Sequence, residues 1–201
     1  MSIRAVFFDF GGVIMRTEYQ APRQKLAERF NMDYDDIASA VFNSESARRA
    51  SLGEITEDQH WAEVLKRFKQ PASEFQSFHD QFFGGDLVDR HLVETIRSLR
   101  GSVHTGLISN AWSGLRDLLA REKLLDLFDT IIISAEVRTV KPSAKIYELA
   151  LDQAKVAAGE AIFVDDMPLN IEACQKVGMK GILFNDPEKA LDHLHRLLKS
   201  S

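Results

Sequence analysis

The 201-residue sequence has one cysteine, no apolar run of membrane-spanning length and no strong excess of either charge. A lone cysteine, Cys174, excludes an internal disulfide and suits a reducing compartment, so we expect a cytoplasmic protein. The apolar run near the N-terminus is interrupted by Asp9 and is too short for a secretory signal. A formal net charge of −5 argues against nucleic acid or an anionic membrane surface as partners.

The sequence does contain a strand–helix alternation that is interrupted once. Apolar runs predict five strands, at residues 3–9, 103–109, 130–134, 161–165 and 181–184. Each of the last four follows a segment with helical periodicity, a pattern typical of a parallel sheet with helices on both faces. We therefore predict an α/β fold with a doubly wound parallel five-stranded sheet.

The interruption lies between the first and second predicted strands. From about residue 19 to residue 83 the apolar residues recur at helical spacing and no strand is evident. Thr56 is predicted to cap one of these helices, with Glu57 and Asp58 in its first turn. The glycine pair at 84 and 85 then marks a hinge or linker.

Polar side chains stand where the predicted strands end. Asp9 ends the first, Ser109 the second, and Asp165 with Asp166 the fourth, while Lys141 lies in the loop beyond the third. The carboxyl ends of parallel strands share one edge of a sheet, so these groups can converge there. Clustered carboxylates are unfavourable without a cation, and oxygen ligands suit Mg²⁺. A lysine and a serine hydroxyl can bind phosphate oxygens, and an aspartate can attack phosphorus.

These segments resemble the four motifs of the haloacid dehalogenase-like hydrolase superfamily, in the same order. They read Asp9-Phe10-Gly11-Gly12-Val13, Ser109-Asn110, Lys141-Pro142 and Asp165-Asp166-Met167-Pro168-Leu169-Asn170. Within the superfamily, the sequence is most similar to the branch of sugar-phosphate phosphatases and the phosphatase-like N-terminal domain of soluble epoxide hydrolase. The resemblance implies sheet order 5-4-1-2-3, a core of residues 1–16 and 86–201, and an inserted α-helical cap of residues 17–85.

The resemblance also implies a role for each motif residue. The catalytic residues would be Asp9 as nucleophile, Ser109 holding the phosphate and Lys141 steadying its charge. The metal ligands would be Asp9, the Gly11 carbonyl, Asp166, and Asp165 directly or through water. The remaining substrate-binding residues would be Gly11, Gly12, Asn110 and Asn170.

Gly11 departs from the motif, because phosphatases of this superfamily usually carry a second aspartate there as general acid and base. General acid catalysis is typically worth about 10²–10⁴ in rate, so alkyl phosphates with poor leaving groups should be affected most. Arg16, Glu18 or a residue of the cap could supply the proton, and the sequence does not choose among them. Glu18, Trp61 and Phe42 are candidates to face the pocket.

Three functions therefore compete. The favoured one is a Mg²⁺-dependent phosphatase that acts on a small phosphorylated metabolite through an aspartyl-phosphate, as a monomer or homodimer. The second is a phosphate-binding or regulatory module with little turnover. The third is a metal-independent 2-haloacid dehalogenase, whose members also lack the second aspartate but are not expected to keep the pair Asp165-Asp166.

Overall fold

A parallel sheet of five strands forms the centre of the computed structural model, which describes residues 2–199. The predicted α/β fold with a five-stranded parallel sheet is thus confirmed. The strands in chain order are β1 (Ala5–Phe8), β2 (Met15–Thr17), β3 (Asp86–Val88), β4 (His104–Ser109), β5 (Thr130–Ile133), β6 (Ala161–Asp165) and β7 (Lys180–Leu183).

The strand order along the sheet is β5-β4-β1-β6-β7, so the predicted 5-4-1-2-3 is corrected. The numerals differ because β2 and β3 were not predicted. Each has only three residues and is partly exposed, so neither leaves a buried apolar run. They pair with each other as a separate antiparallel ribbon. When β2 and β3 are counted, the second to fifth predicted strands are numbered β4, β5, β6 and β7. In the sheet, β1 lies between β4 and β6.

Helices cover both faces of the sheet. The α-helices in chain order are α1 (Ala21–Arg29), α2 (Tyr34–Phe42), α3 (Glu45–Ser51), α4 (Glu57–Arg67), α5 (Phe75–Phe83), α6 (Arg90–Leu99), α7 (Leu115–Arg121), α8 (Ser134–Val137), α9 (Ala144–Ala154), α10 (Pro168–Val177) and α11 (Pro187–Lys199). The side chains of β1 alternate between two apolar cores, one shared with α6, α7 and α11, the other with α9 and α10. Burial on both faces explains why β1 reads as a continuous apolar run. Within residues 2–199, no helix combines the length and apolarity needed to cross a membrane.

Helices α1 to α5 are here called the helical segment, and α1, α2, α4 and α5 form a separate apolar core around Trp61. The predicted cap of α4 is confirmed: the Thr56 hydroxyl accepts from the Gln59 amide at 3.2 Å. The chain enters and leaves this segment through β2 and β3. Buried Arg23 of α1 binds both carboxylate oxygens of Asp86 at 3.1 Å, which ties the segment to that ribbon.

His60 of α4 gives the helical segment a pH-dependent stability. The ring is fully buried, Nδ1 pairs with the Ser46 hydroxyl at 2.8 Å, and burial lowers the pKa of His60 to about 4. An unfolded histidine titrates near 6.5, so between these values the unfolded state binds a proton that the folded state excludes. Stability is therefore lost as the pH falls through this window, by about 2 kcal/mol between pH 7 and pH 5.

Urea denaturation of wild type and His60→Gln at pH 7 and at pH 5 measures how much His60 contributes to the pH dependence of stability. The glutamine side chain does not titrate, so we expect the variant to lose less stability than wild type on acidification. The same loss in both proteins would contradict the assignment to His60.

Candidate active site

Three carboxylates that are distant in sequence meet at the carboxyl edge of the sheet. Asp9 follows β1, with its amide bonded to the Val164 carbonyl at 2.9 Å, and Asp165 ends the neighbouring strand β6. Oxygens of Asp9, Asp165 and Asp166 all lie within 4.8 Å of one another. This adjacency follows from the pairing of β1 with β6.

Lys141 lies between two of these carboxylates. Its Nζ is 2.8 Å from Asp9 Oδ2 and 2.7 Å from Asp165 Oδ2, and the side chain is 1% exposed. The centre of the Phe163 ring is 5.2 Å from the same Nζ. The other Asp9 oxygen accepts a hydrogen bond from the Phe10 amide at 2.7 Å. Both oxygens of Asp9 are therefore held, one by the Lys141 ammonium group and one by a backbone amide.

Asp165 and Asp166 have different surroundings although they are adjacent in sequence. The Asp165 oxygens accept from the Met167 amide at 2.8 Å, from Asn170 Nδ2 at 3.0 and 3.1 Å, and from Lys141. Asp165 is completely buried, whereas Asp166 is half-buried. Asp166 lies against Gly12, where φ is +78° and a Cβ would overlap its carboxylate. Gly12 is thus required both by its backbone conformation and by the position of Asp166.

Asn110 connects the end of β4 to Lys141 through the backbone. Its Nδ2 donates to the Lys141 carbonyl at 3.0 Å, and its Oδ1 accepts from the Lys141 amide at 2.8 Å. This reciprocal pair fixes the start of the segment that carries Lys141. Asn170 likewise forms a hydrogen bond with Asp165. The two asparagines that the family resemblance implies as substrate-binding residues are therefore both hydrogen-bonded to other site residues in this structure.

Ser109 is buried at the end of β4. Within residues 2–199, the only side-chain polar atom that is both sealed from solvent and without a partner is His60 Nε2. In the described part of the chain the Ser109 hydroxyl bonds no other side chain. A hydroxyl at a strand end that is not committed to another side chain is able to donate to an incoming anion.

The electrostatics of the cluster favour a bound cation. Burial, with a further contribution from Asp165, raises the pKa of Asp9 to about 6, although Lys141 acts in the opposite direction. Burial and the neighbouring Asp165 also raise the pKa of Asp166. Three ionised carboxylates beside one ammonium would carry a formal charge of −2, which a divalent ion would neutralise. Hard oxygen donors of this kind fit Mg²⁺.

Gly11 lies beside the cluster in open space. It is exposed, and a Cβ built there would have no atom within 4 Å. Of the residues considered as proton sources, Arg16 is paired with Asp89 at 2.8 Å and with Glu18 at 3.2 Å. No described contact links Arg16 or Glu18 to Asp9.

The two aromatic residues considered for the pocket differ. Phe42 is 45% exposed, whereas Trp61 is 1% exposed inside the core of the helical segment. Trp61 therefore packs within that core, and Phe42 remains available to a ligand.

Sequence reasoning missed several residues that support the site. Tyr147 of α9 is buried and donates its hydroxyl to the Asn170 carbonyl at 3.0 Å, which steadies the start of α10. The amides of Phe10 and Met167 orient two of the carboxylates. Backbone donors carry no side-chain signal, and a tyrosine in an amphipathic helix reads as core, so no feature of the sequence indicated them.

Comparison with known proteins gives matches over nearly the whole chain. The family model of haloacid dehalogenase-like hydrolases matches residues 6–184. A sesquiterpene phosphatase of Aspergillus oryzae is 28% identical over 202 residues, covering 98% of this chain and 97% of that protein. Bifunctional epoxide hydrolase 2 of Rattus norvegicus is 24% identical over 98% of this chain, which spans only 39% of that protein's length.

A similar fold occurs in solved structures. One is a haloacid dehalogenase family enzyme from Bacteroides thetaiotaomicron in complex with magnesium and inorganic phosphate. It superposes with a TM-score of 0.75 at 17% identity, covering 90% of this chain and 94% of that one. At this level of identity the likeness concerns the fold.

Proposed function

The chain belongs to the haloacid dehalogenase-like hydrolase family, and from this membership we propose that it is a Mg²⁺-dependent phosphatase of small phosphomonoesters. The observation that carries the proposal is the meeting of Asp9, Asp165 and Asp166 beside Lys141. A nucleophilic carboxylate, oxygen ligands for a divalent ion and a cation for phosphate oxygens then share one site. The similar sesquiterpene phosphatase and the magnesium–phosphate complex of similar fold support the same chemistry.

In the proposed reaction, an Asp9 oxygen forms a bond to phosphorus, and the bond from phosphorus to the leaving oxygen breaks. The leaving oxygen takes a proton from solvent. Water then attacks phosphorus of the aspartyl-phosphate and the bond from phosphorus to the Asp9 oxygen breaks, which releases inorganic phosphate, restores the carboxylate and returns a proton to solvent. The Phe10 amide and Lys141 hold Asp9 in one orientation, which lowers the entropic cost of attack. Lys141 and the Ser109 hydroxyl would bind phosphate oxygens.

Mg²⁺ would be held by Asp9, Asp166 and the Gly11 carbonyl, and when bound it would neutralise charge on the phosphate oxygens. Asp166 is the better direct ligand of the acidic pair, because each Asp165 oxygen already has two partners in the protein, whereas each Asp9 oxygen has one. Asp165 would then act mainly by orienting Lys141 and the loop that follows β6.

We assign residues 17–85 to a cap and residues 1–16 and 86–201 to the catalytic core. The separate apolar core of the helical segment supports this division. So does its attachment through the two short paired strands β2 and β3. Phe42 is one of the exposed aromatic side chains of residues 17–85, and through it the cap would contact part of the substrate.

The direct test is hydrolysis of p-nitrophenyl phosphate by the purified protein with Mg²⁺ and with EDTA. We expect turnover that depends on Mg²⁺. Phosphate binding without hydrolysis of any ester would instead identify a binding module. Metal-independent release of chloride from a 2-haloacid would identify a dehalogenase.

Gly11→Asp is expected to increase activity selectively. A Cβ at Gly11 would have no atom within 4 Å, so a side chain added there begins in open space, and we expect its carboxyl to reach the leaving group. If the wild type lacks a proton donor, the gain should be about tenfold or more for an alkyl phosphate and small for p-nitrophenyl phosphate, whose leaving group needs no proton. Steady-state kinetics with both esters measure the difference, and Gly11→Asn controls for added volume. Equal gains on both esters, or none, would contradict this account of Gly11.

Gly12→Ala is expected to weaken Mg²⁺ binding by about tenfold or more, because the new methyl would displace the Asp166 carboxylate and alanine would be strained at φ +78°. Gly11→Ala is the matched control, since the same methyl enters open space there. Isothermal titration with Mg²⁺ in the absence of substrate measures both affinities. Unchanged affinity in Gly12→Ala would remove Asp166 from the ligand set.

A further inference from the structure

Helix α4 of the helical segment binds directly to the loop that follows Ser109. The Glu57 carboxylate, at the first residue of α4, accepts a hydrogen bond from the Gly114 amide at 2.8 Å. The Glu57 amide donates to the Ser113 hydroxyl at 3.2 Å. A Cβ at Gly114 would overlap the Glu57 carboxylate, so a larger residue there would displace the carboxylate from the Gly114 amide. We call these contacts the α4 junction.

Trp112 extends the junction from the loop into the helical segment. Its ring centre lies 4.2 Å from that of His60, 5.8 Å from that of Trp61 and 5.9 Å from that of Phe42. The Trp61 indole also donates to Glu57 Oε1 at 3.4 Å, so the same carboxylate contacts both the loop and this aromatic cluster. Each loop residue from 112 to 114 is therefore held by the helical segment.

The other half of the loop is held by the site. Asn110 exchanges hydrogen bonds with the backbone of Lys141, and Ala111 exchanges two with the Ser134 hydroxyl. Lys141 in turn contacts Asp9 and Asp165. An unbroken series of short contacts thus runs from Glu57 through the 110–114 loop to the carboxylate cluster.

We propose that Glu57 is a positioning residue, which fixes the 110–114 loop and thereby positions Ser109 and, through Asn110, the backbone of Lys141 for phosphate binding. Its catalytic consequence rests on the proposed phosphatase function, whereas its effect on the loop does not. The carboxylate acts at a distance, through the loop backbone, and does not touch the substrate. Loss of Glu57 frees the Gly114 amide and loosens the loop at one end.

The experiment compares Glu57→Ala and Glu57→Gln with Asp58→Asn as the matched control. Asp58 lies in the same first turn of α4 and makes no described contact with the loop, so its variant loses the same charge without touching the junction. Three quantities are measured. They are hydrogen–deuterium exchange of the 109–115 region, affinity for inorganic phosphate with Mg²⁺, and kcat and KM for p-nitrophenyl phosphate. The two tryptophans of the chain, Trp61 and Trp112, both lie at the junction, so their fluorescence would report a change in the junction when phosphate binds at the neighbouring site.

In Glu57→Ala we expect loop exchange to rise about tenfold, with the phosphate dissociation constant and KM rising together by a similar factor and kcat changing less. In Glu57→Gln the amide oxygen still accepts from Gly114, so we expect most of the effect to be rescued. Asp58→Asn should match wild type. A role in folding alone would lower the yield of folded protein without raising KM and the phosphate dissociation constant together.

Unchanged loop exchange in Glu57→Ala would overturn the proposal, as would faster exchange with unchanged phosphate affinity. A wild-type protein that binds phosphate but hydrolyses no ester would defeat the phosphatase proposal alone, because exchange and affinity still decide the role of Glu57. A wild type that binds no phosphate would overturn both. Should Glu57→Ala fail to fold, Ser113→Ala removes one contact of the junction, and we expect smaller changes in the same direction.

Discussion

Asp9→Asn is expected to reduce hydrolysis of p-nitrophenyl phosphate by about 10³-fold or more, because it removes the group proposed to attack phosphorus. Asparagine has nearly the same size and keeps an oxygen for the Phe10 amide, which now holds the carboxylate at 2.7 Å. Lys141 retains Asp165 as a partner at 2.7 Å, so the site keeps a paired cation. We therefore expect the variant to fold and to lose chemistry rather than structure.

The measurement is the steady-state rate with saturating Mg²⁺, supported by tryptophan fluorescence to verify folding. Asp192→Asn is a suitable control, since Asp192 is exposed on α11 and its loss of charge is the same. Mass spectrometry of the wild type quenched during turnover should show a phosphate adduct on the peptide that contains Asp9. Substantial residual activity in Asp9→Asn, with no adduct in wild type, would assign the nucleophile elsewhere.

The central part of this architecture could be predicted from the sequence because its strands are buried on both faces. All four residues of β1 are buried, so the strand reads as an apolar run and its end marks Asp9. The proximity of Asp9 to Asp165 follows once both stand at the carboxyl ends of parallel strands. The exposed three-residue strands β2 and β3 give no such signal.

The finer organisation of the site depends on backbone geometry that residue types do not encode. Gly11 and Gly12 are the same residue type, yet Gly11 faces open space, whereas Gly12 has a positive φ and lies against Asp166. Glu57 was identifiable only as an acid in the first turn of a helix, where it also suits the helix dipole. Its bond to the Gly114 amide joins residues 57 apart in the chain, and such a pairing becomes visible only when the fold brings α4 to the loop.

Lys141→Met is expected to destabilise the metal-free protein by about 3–5 kcal/mol, the usual effect of removing one partner from a buried ion pair. The Lys141 side chain is 1% exposed and is the described cation within 2.8 Å of both Asp9 and Asp165. Methionine keeps an apolar side chain of similar length beside Phe163, whose ring centre lies 5.2 Å from Lys141 Nζ, but leaves the two buried carboxylates facing each other. Urea denaturation at pH 7 with EDTA measures the loss, and Lys145→Met, at an exposed lysine of α9, controls for removal of a surface charge.

Two further results separate charge repulsion from loss of packing. Adding Asp9→Asn to Lys141→Met removes one of the facing carboxylates, so the double variant should be more stable than Lys141→Met alone, a non-additivity expected for directly interacting groups. Mg²⁺ should likewise restore part of the stability, because a ligand that binds only the folded state stabilises it by mass action. A double variant no more stable than Lys141→Met, together with no response to Mg²⁺, would mean that Lys141 stabilises the fold by packing and that the carboxylates do not form a common cation site.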